Sequence, residues 1–238
     1  MAETVKIERR FRGPPESGQG GYSCGILARF VDGPAKEVTL RMPPPLEREL
    51  EVVEGEEGPE LRDGEALVAE ARTIEDVGIE LPAPVTLEQA RAAREGSLLH
   101  VEHPFPMCVC CGPQRQRGDG LRVISGPVED RDDVVSSPWE IDASVPLEDG
   151  RVAEEIVWTV LDCPTGNAVL IIPDPPEMMV LGRLSAELLV PVEPGNDYVA
   201  IGWPVFHEER KFCGGSAILD TDGEPVAIAK GLWIKPKR

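Results

Sequence analysis

An aspartate at the end of one apolar helical pattern and a pair of glycines at the start of another are the residues best placed to do chemistry. Asp162 closes the segment 152–162, in which Val152, Ile156, Val157, Val160 and Leu161 make one apolar stripe. There the carboxylate faces the negative end of the helix dipole, disfavoured by about 0.3 to 1 kcal/mol, so something must compensate. Gly20 and Gly21 begin a second segment that carries Tyr22, Ile26, Leu27 and Phe30 at spacings of three and four. Glycines there let a ligand approach the backbone, and free first-turn amides present positive partial charge. A carboxylate can activate water or attack directly, and amides can receive the negative charge that develops on a carbonyl oxygen. Plainer readings stand beside these: the glycines as a tight turn, and Asp162 as a side-chain turn that ends its helix.

Glu155, Trp158, Thr159 and Asp162 share a polar and aromatic strip opposite the apolar stripe. A second constellation, His100, His103, Cys108, Cys110 and Cys111, gathers five metal-ligand types within twelve residues, with Cys108 and Cys111 in C-x-x-C spacing. A second such pair is missing, so no bound metal is expected there. Cys24 and Cys163 are expected to pack in the core.

These residues need elements to hold them. With 24 prolines and 24 glycines among 238 residues, long helices are excluded over most of the chain, and short strands and turns are expected. Besides the helix after Gly21, which should stop at Asp32-Gly33, and the one over 152–162, which Pro164 and Gly166 should stop, only 87–95 has a helical pattern. Strands are expected at 36–42, 48–53, 65–73, 184–190, 198–206, 214–219 and 225–234, the last two as a hairpin across Asp220-Thr221-Asp222-Gly223. The same order of helix then strands occurs twice, and Asp63-Gly64-Glu65-Ala66 resembles Asp222-Gly223-Glu224-Pro225. This implies a duplicated α+β unit: 1–80, a connection over 81–118, and 119–238.

Charge narrows the partners. A net charge of -19 repels a phosphate backbone and an anionic membrane surface, so neither nucleic acid nor membrane is expected. No stretch approaches the roughly 18 apolar residues of a membrane helix, and the start lacks the order of a signal peptide. A cytoplasmic location with reduced cysteines is the expectation.

Residues 152–234, with Val160-Leu161-Asp162, Pro191-Val192-Glu193-Pro194-Gly195, Arg210-Lys211, Asp220-Thr221-Asp222-Gly223 and Ala227-Ile228-Ala229, resemble a unit of the hot-dog thioesterase superfamily. Gln19-Gly20-Gly21 is similar to the His-Gly-Gly that opens the central helix in many of them, with glutamine in place of histidine. The resemblance implies two hot-dog units in tandem, each a central helix wrapped by an antiparallel sheet, with the two helices facing one another. It implies an acyl-CoA thioesterase without a cofactor, with one composite site: Asp162 as base or nucleophile, Gly20 and Gly21 as carbonyl binders, and Gln19, Tyr22, Glu155, Trp158 and Thr159 against substrate. An acyl chain would run past Met178, Met179 and Trp203. A headgroup would favour the basic residues Arg210, Lys211, Lys230, Lys235, Lys237 and Arg238, and double units could pair as a homodimer. The alternative is a non-catalytic binder of acyl chains or acyl-CoA. Hydratase chemistry is disfavoured, because His100, His103 and His207 open no helix.

Overall fold

The computed structural model describes residues 3–175 and 178–236; Lys237 and Arg238 of the basic cluster lie outside them. In chain order the elements are β1 (Glu3–Lys6), α1 (Gly20–Ala28), β2 (Ala35–Leu40), β3 (Glu49–Glu54), β4 (Pro59–Asp63), β5 (Ala66–Ile74) and α2 (Leu87–Glu95). Then come β6 (Gly126–Pro127), β7 (Val135–Glu140), β8 (Leu147–Glu148), β9 (Arg151–Val152), α3 (Glu154–Asn167), β10 (Val180–Leu188), β11 (Asp197–Glu208), β12 (Lys211–Leu219) and β13 (Pro225–Ile234). Eleven strands form one antiparallel sheet in the order β1-β3-β4-β5-β2-β10-β13-β12-β11-β7-β6, and β8 with β9 makes a separate ribbon. The first five strands come from the front of the chain and the last six from the back, so the two sets join edge to edge where β2 pairs with β10.

α1 lies on β2 and β5, α3 on β10 to β13, and the two helices pack on each other. From Gly21 to Ala28 every residue of α1 is buried, as a helix apolar all round must be. The close helix approach depends on missing side chains. A Cβ on Gly21 would stand 2.4 Å from the Trp158 carbonyl oxygen, and one on Gly25 would stand 2.5 Å from Glu155 Cα. Two positions four apart on α1 thus receive the row Glu155, Trp158 and Asp162 of α3, a ridge in a groove.

Several expectations change. α3 does not stop at Asp162: it runs through Pro164 and Gly166 to Asn167. Proline costs one intrahelical bond; packing against β11 to β13 holds the turn nonetheless, and within it the Thr165 hydroxyl donates to the Asp162 carbonyl at 2.6 Å. The strand expected at 184–190 is β10, displaced toward the amino end, so Leu189 and Val190 lie beyond it. β1, β4 and β6 to β9 were not anticipated, being short or without clean alternation. α2 keeps its expected bounds, with a capping box from Thr86 and Gln89. It is more than a connection: Ala90 and Ala93 pack with Val199, Ile201 and Trp203 on the face of β11 turned away from α3. Covering on both faces explains why β11 reads as a continuous apolar run. Among the described residues no helix is long and apolar enough to cross a membrane.

The β2–β10 joint carries a charged cluster. Glu37 lies between Arg72 of β5 and Ser185 of β10, accepting from Arg72 Nη2 at 2.7 Å and from the Ser185 hydroxyl at 2.9 Å, with Arg183 Nη1 at 3.6 Å. Burial alone would raise the Glu37 carboxyl, but the bonds from Arg72 and Ser185 and the Arg183 charge outweigh it and hold it below the usual range.

Two outcomes follow from this packing. Gly25→Ala should destabilise the chain by about 1 to 3 kcal/mol, the usual cost of overpacking, read from the denaturant midpoint; an unchanged midpoint would disprove the close crossing. For Glu37 the folded carboxyl lies below its unfolded value. Its stabilisation is therefore full above about pH 4.3 and is lost as pH falls through the folded value. Glu37→Gln should flatten the acid limb of melting temperature against pH, and an identical acid limb would show that the joint does not depend on it.

Candidate functional site

The site forms where the start of α1 meets the middle of α3. Gln19 is the N-cap of α1: its Oε1 accepts from Tyr22 N at 2.5 Å. That bond fixes the side-chain amide, because the oxygen is used and the NH2 must face the other way. The Gln19 Nε2 donates to Asp162 Oδ2 at 2.5 Å, and Gly21 N donates to the same oxygen at 2.8 Å. Asp162 and the Gly21 amide are thus in direct contact, close enough for one ligand to reach both the carboxylate and the start of α1. The polar part of Gln19, in a position where the resemblance has histidine, is to cap one helix and bind the acid of the other.

Asp162 is 2% exposed, and its Oδ1 is buried with no partner among the described residues. Burial pushes its carboxyl well above the ordinary value, the neighbouring Cys163 adds to this, and the Gly21 N–H opposes it. Ser23 N bonds the Gln19 carbonyl and Tyr22 N the Gln19 side chain, so of the first-turn amides Gly20 N alone finds no acceptor among the described residues.

Asp162, Gln19 and Gly20 border a cavity of about 770 Å³ whose walls are mostly apolar, including Met42, Met178, Met179, Leu181 and Trp233. Both expected methionines are therefore there, whereas Trp203 packs against Gly215 outside it. Of the other anticipated residues, Gly21 is used by Asp162, and Tyr22 stacks on Phe11 with ring centroids 4.0 Å apart. Glu155 and Trp158 make the helix crossing, and the Thr159 hydroxyl bonds the Glu155 carbonyl at 2.6 Å. These four, Tyr22, Glu155, Trp158 and Thr159, do not line the cavity. Of the basic residues Arg210, Lys211, Lys230 and Lys235, none lines it either; Arg210 holds the Lys235 carbonyl instead.

The connecting segment supplies part of the cavity wall through His103, Phe105, Cys108 and Cys111. His100 turns away and bonds the Arg94 carbonyl at 2.7 Å. Cys163, the residue after Asp162, meets Cys111 with its sulfur at 3.2 Å and Cys108 at 3.9 Å. The Cys163 thiol is held well below its usual range by hydrogen bonds from the Cys108, Cys110 and Cys111 thiols. Cys163 packs in the core as expected; its meeting with the connecting segment was not anticipated, and the signal for it is its adjacency to Asp162 on a helix that faces that segment.

No protein-family model matches this chain, and no curated protein matches it. Solved structures do. The chain resembles a proposed thioesterase II from Thermobifida fusca YX at 14% identity, over 98% of this chain and 93% of that one, with a TM-score of 0.64. A proposed thioesterase from Novosphingobium aromaticivorans DSM 12444 matches at 10% identity over 98% and 95%, with a TM-score of 0.64. A protein of unknown function with a hot dog fold from Alicyclobacillus acidocaldarius matches at 11% over 99% and 93%, with a TM-score of 0.60. At such identities the likeness is one of fold, and the fold is the hot-dog fold.

Gln19→Ala removes the cap and a donor to Asp162 together, leaving buried Tyr22 N unpaired. It should destabilise by about 1 to 3 kcal/mol in chemical denaturation, and a loss near zero would mean that these bonds are replaced at no cost.

Proposed function

We propose that the chain is a thioester hydrolase acting on acyl-CoA or a related thioester, built as two hot-dog units in tandem, 1–80 and 119–238, joined by 81–118. One composite site lies between the halves, the front giving the Gly20 amide and the back giving Asp162. The observation that carries this reading is a buried carboxylate oxygen without a partner, Asp162 Oδ1, on an apolar cavity whose rim also holds an unused helix N–H. The fold likeness to proposed thioesterases supports it.

The geometry suits a simple sequence. The acyl chain lies along the methionine and leucine wall, and the thioester carbonyl oxygen accepts from Gly20 N–H, where the dipole of α1 favours negative charge. Asp162 takes a proton from a water as that water's oxygen bonds to the carbonyl carbon. The oxyanion collapses, the carbon–sulfur bond breaks, and the thiolate leaves with the proton returned from Asp162. Gln19 and Gly21 hold Oδ2, which orients Oδ1 toward the reacting water. Glu155 and Trp158 serve this site as positioning residues, through the helix crossing that sets Gly20 against Asp162, while Tyr22 and Thr159 stand off the cavity. A cytoplasmic setting suits six cysteines that are all free, since thiols stay reduced there.

The test is a hydrolysis screen over short, medium and long acyl-CoA esters, with Asp162→Asn beside the parent. Asparagine keeps the shape and can accept from Gly21, so the fold should persist while turnover falls by about 10² to 10⁴. Turnover near that of the parent would remove Asp162 from the chemistry. A parent inactive on every ester, yet retaining them in equilibrium binding, would favour the non-catalytic acyl-binding alternative.

A further inference from the structure

The three buried thiols beside the cavity have a geometry that packing alone does not require. Their sulfurs lie within 4.8 Å of one another, with Cys111 to Cys163 at 3.2 Å and Cys108 to Cys163 at 3.9 Å. Zinc–sulfur bonds of about 2.3 Å in a tetrahedron set sulfur–sulfur edges near 3.8 Å, a value those two distances bracket. The C-x-x-C loop is folded tightly: Gly112 N bonds the Cys108 carbonyl at 2.9 Å, and a Cβ on Gly112 would meet Cys108 N at 2.6 Å and the Pro106 carbonyl at 2.6 Å. Such a turn brings both of its thiols to one side, toward α3.

Two further side chains are aimed at the sulfurs. Phe105 N donates to His103 Nδ1 at 2.9 Å, which leaves the ring proton on Nε2, 3.2 Å from Cys111 Sγ. Gln19 Nε2 lies 3.6 Å from Cys163 Sγ. Nitrogen donors directed at two of three clustered sulfurs are what thiolates need around a metal, where outer hydrogen bonds orient the ligands. His103 is thereby an outer partner and not a ligand, because its Nε2 carries the proton.

The geometry points to a zinc site held by the thiolates of Cys108, Cys111 and Cys163, with the fourth coordination position facing the cavity that all three line. Three sulfur ligands of this softness select zinc over magnesium or calcium. As the ion binds, the three thiols release their protons to solvent. The sequence-based expectation of no metal rested on a missing second pair of cysteines; the third thiol comes instead from α3, 52 residues further along the chain. An ion here would pin the connection to the central helix one residue from Asp162. It stands apart from the proposed hydrolysis, no step of which passes through it.

The test reads metal and not activity. The full chain, purified without added metal, should carry one zinc per chain by elemental analysis. After chelation it should take up one Co²⁺ with the intense visible bands of tetrahedral thiolate ligation. Cys111→Ser and Cys163→Ser should lose the metal, while Cys213→Ala, a buried cysteine outside the cluster, should keep it. His103→Ala should weaken affinity by about 10- to 100-fold. Trace zinc with no cobalt uptake by the parent would overturn the proposal even if the serine variants fail to fold. So would a Cys111–Cys163 disulfide in freshly isolated, alkylated protein, or zinc retained by folded Cys163→Ser.

Discussion

Everything at the centre of this molecule depends on how closely α1 and α3 approach. Gly21 and Gly25 have no Cβ, and the backbone of α3 occupies the space where one would stand, 2.4 to 2.5 Å away. That approach lets the Gly21 amide reach the Asp162 carboxylate and brings the Gln19 side chain within range of both Asp162 and Cys163. A separation larger by one methyl group would break all three contacts together. Stability and the proposed chemistry therefore rest on the same crossing, to which both helices contribute.

The consequence for Asp162 is electrostatic. At the end of an exposed helix its charge would be disfavoured by the dipole. Here it sits within α3, and the opposing field comes from the other helix, whose positive end is directed at it. One carboxylate oxygen is fixed by two N–H donors while the other is left bare, so the group is oriented without being used up.

Much of this was legible in the sequence, and the residues show why the rest was not. The pairing of Gly20-Gly21 with Asp162 was legible only through the family resemblance, because the local pattern reads Asp162 as a helix end before Pro164, whereas it lies within α3. The bounds of α2 were legible from Thr86, Gln89 and the apolar positions Leu87, Ala90 and Ala93. The extension of α3 past Pro164 was not, because it depends on packing against strands distant in sequence, which a local rule about proline does not include. Glu155, Trp158 and Thr159 were read correctly as one face, but a face turned to a partner helix can be filled by that helix instead of by a ligand. The thiol cluster was half legible: Cys108 and Cys111 announce themselves by spacing, whereas Cys163 joins them only through the fold.

The ends of the large sheet decide how copies of this chain can meet. The outermost strand on one side, β6, is only Gly126 and Pro127, and proline has no N–H to offer a neighbour. On the other side β1 is four residues long and carries Lys6, whose ammonium is tied to Glu47 at 2.8 Å. Short, charged or proline-bearing edges do not template another strand. Both rims of the eleven-stranded sheet thus end in strands poorly suited to recruiting a further strand edge to edge.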